Sequence, residues 1–397
     1  MIETQSSIES ECYSNFVCYK DQSMKIYYRV LLLTLVITSC TTKDKGRLTH
    51  NGLPIIKATQ TDIDFKVGDD WFSGWWTIAL EVENDTLQVI CFGQKETFRF
   101  ATDLDSIEFE IEPGESKNFY VLLHDSLYAH TIIQGVPFQS NKIIYDSVNS
   151  GRVEFMYQTE KSEYLSNLMK EFPLEFNTNE MSDKEIVLAV LNWTNSRWQH
   201  DGNNLPKKND AISILKEAEQ GGRFPCFAYA IVLRDQLTAL GYNARTVYLK
   251  TQDAEVRESS PGHVATEVFL NDLEKWVFVD GQFNVLSTLN GKPLNAIEFQ
   301  NAISNHYDEL ELESLAEPDY AESKRLYVEF VYDYLFYIDT ALDNRYDPDE
   351  RFTINGKRSL MLVPKEADNL AHINFWDIDI DFCIYTNSAM DFYSRPN

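Results

Sequence analysis

From residue 50 to 150 apolar and polar positions alternate over short runs. Residues 107–111 (IEFEI) alternate strictly and are followed by a Glu-Pro-Gly-Glu turn at 112–115. Runs at 75–82, 87–92 and 119–123 read as further strands, at a spacing that suggests a β-sandwich or barrel. Beyond about residue 155 the period lengthens. Residues 163–172, 183–193 and 210–220 predict helices, the second with Ile186, Val187, Val190 and Leu191 on one side. A fourth helix opens at Cys226, where Cys226, Ala230, Leu233, Leu237 and Leu240 form one stripe, Pro225 precedes the first turn and Gly241 ends the last. Two strand-like runs follow, 263–270 and 273–280, with Asn271 and Asp272 as the turn between them. Helices leading into a hairpin sheet predict an α+β domain. Residues 325–335 alternate aromatic and apolar side chains, and 343–350 reads as a solvated acidic loop.

The chemistry sits on these elements. A thiol at a helix N-terminus feels the positive end of the helix dipole, which favours the nucleophilic thiolate. With a two-residue turn, His263 and Asp280 face each other across the hairpin. A four-residue turn makes them diagonal neighbours on one face, and a three-residue loop separates them. A carboxylate beside an imidazole fixes its tautomer and stabilises the imidazolium formed when it takes a thiol proton. The backbone N–H of Cys226 is one natural oxyanion donor, and Trp198 or Gln199 is the candidate for a second. His200 is a rival to His263, but it has no carboxylate on a paired strand. Each residue also has a bland reading: a cysteine on an apolar stripe is commonly core, and an aspartate at a strand end commonly forms a turn.

The segments Gly221-Gly222-Arg223-Phe224-Pro225-Cys226, Ala239-Leu240-Gly241-Tyr242-Asn243-Ala244-Arg245-Thr246-Val247, Gly262-His263-Val264 and Trp276-Val277-Phe278-Val279-Asp280 resemble the transglutaminase-like superfamily over roughly residues 185–290. Phe224 and Pro225 stand where many members have small residues. The resemblance implies an α+β papain-like core, a Cys226–His263–Asp280 triad and an acyl-enzyme released by water or by an amine. Water is abundant outside the cell and nothing marks an amine site, so hydrolysis of a peptide, protein or cell-wall amide is the expected reaction. The alternative is a non-catalytic binding or scaffolding protein on the same fold.

Composition bounds the rest. The chain of 397 residues is 44% hydrophobic, which is globular, and long enough for more than one domain. Its net charge of −27 comes without clustered Lys or Arg, which excludes nucleic acid as a partner. No Cys or His spacing of a zinc site and no nucleotide-binding glycine motif occurs, so neither metal nor cofactor is expected. Met24, Lys25 and Arg29 precede an apolar run at 30–37 that closes on Ile37-Thr38-Ser39-Cys40. That arrangement resembles a bacterial lipoprotein signal peptide, which implies cleavage before Cys40 and lipidation of its thiol. The expected location is then the bacterial cell envelope, at the outer membrane, with Met24 as the initiator. The expected division is a leader at 1–40, a tether at 41–49, a β-sandwich-like domain at 50–150, the catalytic domain at 155–300 and a C-terminal extension at 301–397 packed on it. Cys91 and Cys383 read as core. Trp71, Phe72, Trp75 and Trp76 read either as core or as a sugar-stacking platform.

Overall fold

The computed structural model describes residues 47–148, 153–158, 161–317 and 321–396. Cys40 and the signal-peptide segment lie outside the described residues. Two compact units meet in sequence at Ser140 and Asn141. None of the described helices is long and apolar enough to cross a membrane.

The first unit is β-rich. Strands β1 (Thr49–His50), β2 (Leu53–Ala58), β3 (Asp62–Val67), β4 (Asp70–Thr77), β5 (Asp85–Cys91), β6 (Glu96–Ala101), β7 (Ser106–Ile111), β8 (Ser116–Leu123) and β9 (Leu127–Pro137) follow in order. They form two sheets, β1-β2-β8-β9-β5 and β4-β3-β6-β7. Alternate residues of both sheets, among them Ile56, Phe65, Val89, Phe98, Phe100 and Val121, bury into one shared core, as in a sandwich. The aromatic run shows why β4 begins at Asp70 and ends at Thr77, earlier than the 75–82 reading. Phe72 and Trp76 pack on the core, while Trp71 and Trp75 point outward and are about half exposed. The cluster is thus part core and part surface.

The second unit carries α1 (Glu163–Glu171), α2 (Asp183–Asn195), α3 (Ala211–Ala218) and α4 (Cys226–Ala239), then β10 (Ala244–Lys250), β11 (Gly262–Leu270), β12 (Lys275–Asp280), β13 (Val285–Leu289) and β14 (Lys292–Pro293). After these come α5 (Ala296–Asn305), β15 (Leu310–Glu313), α6 (Lys324–Val331), β16 (Tyr337–Ala341), β17 (Ser359–Leu362), the short hairpin β18 (His372–Ile373) and β19 (Ile378–Asp379), β20 (Cys383–Thr386) and α7 (Ala389–Phe392). The main sheet runs β14-β13-β12-β11-β10-β16-β17-β20, with β15 beside β13. Residues beyond 301 therefore weave four strands into the sheet itself. The 325–335 run, whose alternation looks strand-like, is helical over α6 and continues as a 3-10 turn at Tyr332–Tyr334. Ser323 caps α6 by accepting from the Leu326 N–H, and Tyr327, Val328 and Val331 face inward at helical spacing.

Helix α4 is buried on nearly every side, which is why its single apolar stripe understates its place at the centre of the unit. Phe227, Ile231 and Val232 pack with Leu168 of α1 and Ile214 of α3. Leu233 and Leu237 pack between Val187 and Leu191 of α2 and Val268 and Val277 of the sheet. Two of its buried polar residues are tied to neighbouring elements: Asp235 accepts from the Tyr164 hydroxyl at 2.6 Å, and the Gln236 amide N–H donates to the Phe172 carbonyl that ends α1. Gly241, at φ +95°, closes the helix in the left-handed region.

Candidate active site

Cys226 is the first residue of α4, and Pro225 occupies the N-cap with no side chain capping the first turn. The Pro225 carbonyl accepts from the Ala228 N–H at 3.0 Å. The positive end of the helix dipole falls on the Cys226 end, where a thiolate or an oxyanion is stabilised. Cys226 joins no disulfide among the described residues and is 3% exposed.

His263 lies one residue into β11 and Asp280 ends β12. The observed register pairs Thr266 with Val279 and Leu270 with Lys275. The turn is thus four residues, 271–274, rather than the two of the Asn271-Asp272 reading. Glu274 takes a left-handed φ of +50° to close it. Asp183 in α2 holds the turn, since its carboxylate accepts from the N–H groups of Asn271 and Asp272 at 2.8 and 3.1 Å. Ala265, not His263, therefore stands opposite Asp280. His263 becomes the diagonal neighbour on the same face, and its Nε2 still lies 2.7 Å from Asp280 Oδ2.

Asp280 is wholly buried, and a buried carboxylate is costly unless its oxygens are satisfied. Here Oδ2 also accepts from the Tyr327 hydroxyl at 2.9 Å, while Oδ1 accepts from the N–H groups of Gln282 at 3.0 Å and Phe283 at 3.4 Å. Burial, and the charge of Asp280 beside it, push the Tyr327 phenol well above its ordinary range, so it stays a donor. Tyr327 comes from α6, outside the region where sequence pointed to chemistry, and only its spacing on a helical face marks it.

With Nε2 given to Asp280, the other ring nitrogen of His263 is the free base. Nδ1 is buried and has no hydrogen-bond partner among the described residues. The imidazole is walled by the rings of Phe330 at 5.1 Å and of Phe283 and Tyr334 at 6.1 Å. These exclude water and strengthen the pair with Asp280. Cys226 and His263 line one cavity, about 830 Å³ counting its open mouth. Thr266 of β11 donates to the Ala230 carbonyl of α4 at 3.1 Å, which locks strand and helix together one turn from the thiol.

The other sequence candidates are placed as follows. Trp198 is buried, stacks on Tyr229 at 4.4 Å, and its carbonyl accepts from the Tyr229 hydroxyl at 3.0 Å. Gln199 is exposed. Neither lines the cavity, yet their segment runs beside the approach to the thiol: His200 pairs with Phe224, and the Asp201 N–H donates to the Phe224 carbonyl at 3.1 Å. Neither does His200 line it. Cys91 and Cys383 are buried, in the sandwich and beneath the C-terminal strands respectively, and burial pushes the Cys383 thiol far up. Both are held as inert thiols.

With this geometry in place, the family comparison gives a match: residues 170–281 fit the model of the Transglutaminase-like superfamily. This segment is a transglutaminase-like core domain. Its span ends one residue past Asp280 and takes in Cys226 and His263, while Tyr327 and the residues after β15 lie outside it. The α+β core and the β-rich N-terminal unit are as the hydrophobic pattern predicts. Among solved structures, a candidate cysteine protease from Cytophaga hutchinsonii is 15% identical over 57% of this chain and 73% of its own, with a TM-score of 0.25. No curated protein matches the chain. A transglutaminase-like core with a thiol at its helix start supports a thiol enzyme.

Proposed function

We propose that this protein cleaves an amide bond through Cys226, His263 and Asp280 by way of an acyl-enzyme. The observation that supports this most is the His263–Asp280 hydrogen bond, which leaves Nδ1 without a partner among the described residues while His263 lines the same cavity as Cys226. His263 Nδ1 takes the thiol proton as sulfur attacks the carbonyl carbon. The imidazolium rests on Asp280, whose charge Tyr327 and two backbone N–H groups hold in place. The oxyanion is met by the Cys226 N–H at the positive end of the helix dipole. Collapse of the tetrahedral adduct breaks the C–N bond, and the proton on Nδ1 passes to the leaving amine. Water then attacks the thioester with His263 again as base, releasing acid and thiol. Release by water rather than by an amine is the preferred outcome.

The substrate is a peptide, protein or cell-wall amide, and the site of action is the bacterial envelope, with a lipid on Cys40 as the tie to the outer membrane. The low exposure of Cys226 favours one rival, a binding protein that keeps the fold without turnover. Cys226→Ala separates the two. Loss of all turnover with an unchanged melting temperature supports the enzyme. Full activity, or an unfolded domain, defeats it. For the anchor, Cys40→Ala releases the protein from the membrane fraction of the native cell, and a wild-type protein already wholly soluble defeats that part.

A further inference from the structure

The cavity does not stop at the thiol. Besides Cys226 and His263 its lining includes Lys250 of β10, Asp339 of β16, and Arg358 and Ser359 at the start of β17. Strands β11, β10, β16 and β17 are consecutive neighbours, so the far end lies three strand spacings from His263, about 14 Å. That is the length of roughly four extended residues. A second wall comes from the β18–β19 hairpin and the residues just after it, Trp376, Ile378 and Ile380, while Phe382 lies beside β17, its carbonyl accepting from the N–H groups of Arg358 and Ser359. Gly262 lets this wall close in, because a Cβ there would meet the Trp376 ring at 2.7 Å.

The charges in this apolar trough do not cancel. Lys250 and Asp339 are buried and paired with each other. Arg358 is exposed, and among the described residues it joins no ion pair. Its guanidinium carbon lies 4.7 Å over the Phe382 ring, a cation–π contact that restrains the side chain. Two cations and one carboxylate leave the trough at +1, in a chain of net charge −27. A planar, pre-oriented guanidinium is the group best suited to a carboxylate.

We infer that this trough selects substrates with an apolar stretch beside the scissile amide and a carboxylate about four residues from it, bound by Arg358. The inference adds a substrate class to the thiol-enzyme reading and rests on it for its kinetic arm alone. The shared chemistry is a carboxylate, and a chain terminus or an Asp or Glu side chain can supply it.

The probe is an internally quenched peptide library with apolar residues flanking the central bond. Each peptide is made as free acid and as C-terminal amide, with Glu or Gln at the fourth position. Wild-type protein is expected to favour free acid over amide, or Glu over Gln, by on the order of 10- to 100-fold in kcat/KM, as fits one charge-assisted hydrogen bond. Which pair shows the preference identifies the source of the carboxylate. Arg358→Gln raises KM for the favoured peptides with kcat held and leaves the amide or Gln forms unchanged, while Arg358→Lys restores part of the loss. Equal rates within both pairs, or equal loss on all peptides in Arg358→Gln, overturns the inference. Calorimetry of the same peptides with Cys226→Ala protein keeps the two readings apart. Acid-selective binding without wild-type cleavage keeps the trough and sinks the thiol enzyme. Cleavage without acid selectivity does the reverse, and neither binding nor cleavage sinks both.

Discussion

The two walls of the cavity differ in origin and in kind. One is made by the start of α4 and by β10 and β11, close together in sequence and inside the transglutaminase-like core. It presents a thiol, an imidazole and, behind them, a carboxylate with each oxygen accepting hydrogen bonds. The other is gathered from residues 339–382, beyond the family match, and presents aromatic and aliphatic side chains with one buried carboxylate, Asp339, and one exposed cation, Arg358. The first wall holds what every substrate needs. The second holds what tells substrates apart. A family's chemistry can therefore stay with the core while its selectivity is rebuilt by strands added to the same sheet. The contrast implies that substitutions on the first wall lower kcat and those on the second move KM.

The largest departure is expected on the first wall. Asp280→Asn leaves a buried amide where the imidazolium needs a charge, and steady-state kinetics are expected to show a loss of kcat approaching the order of 10⁴ seen for the same change in a serine triad. An effect confined to KM would erase the distinction between the walls. Tyr327→Phe is a finer cut. It removes one hydrogen bond from the carboxylate while Gln282 and Phe283 still hold the other oxygen. The expected loss is about tenfold in kcat, since such a bond contributes about 1.5 kcal/mol. Tyr327→Phe with unaltered kcat would show that α6 braces the fold and not the imidazole.

On the second wall, Gly262→Ala forces the Trp376 ring aside without touching Asp280. A few-fold rise in KM on a substrate the wild type cleaves is expected, with kcat held. A collapse of kcat would show that this glycine serves His263 rather than the cavity.

The smallest effect concerns what supports that wall. Asp343 follows β16, and the acidic loop is not wholly solvated, because Asp343 itself is buried. Burial would raise its carboxyl, yet the Arg345 guanidinium and the N–H groups of Phe352 and Arg345 outweigh burial and hold it below its ordinary value. A lowered folded value stabilises the fold fully above the unfolded value of about 3.9, and that stabilisation is lost as pH falls through the folded value. Asp343→Asn is expected to lose about 1–3 kcal/mol at pH 7. Thermal melts should show the gap from wild type shrinking below about pH 3.9. A gap that does not change with pH would assign the loss to packing instead.

The difference between the walls also governs what the sequence discloses. Helix α4 is legible because its apolar stripe, its leading Pro225 and its closing Gly241 are all local signals. The two strands of the hairpin are legible from their runs, but their register is not. The four-residue turn is held by Asp183, more than eighty residues upstream, and no local turn rule contains that contact. Tyr327 escapes for a related reason: an aromatic-rich stretch alternates like a strand, and only its packing against Phe283 and Phe299 makes it a helix aimed at Asp280. Arg358 and Trp376 carry no motif. Arg358 takes its meaning from β17, which joins the main sheet beside β16, and Trp376 from the separate β18–β19 hairpin, and neither pairing is encoded by composition and period.

The most direct test asks whether the thiol and the imidazole act together. Native protein is treated with iodoacetamide at neutral pH, and labelled cysteines are located by mass spectrometry over time in the wild type and in His263→Gln. Cys226 is expected to label well ahead of Cys91 and Cys383, and to slow markedly when His263 is replaced, because the thiolate then loses its base. A Cys226 that stays unlabelled in the folded wild type, or one that labels at the same rate in both proteins, would contradict the account.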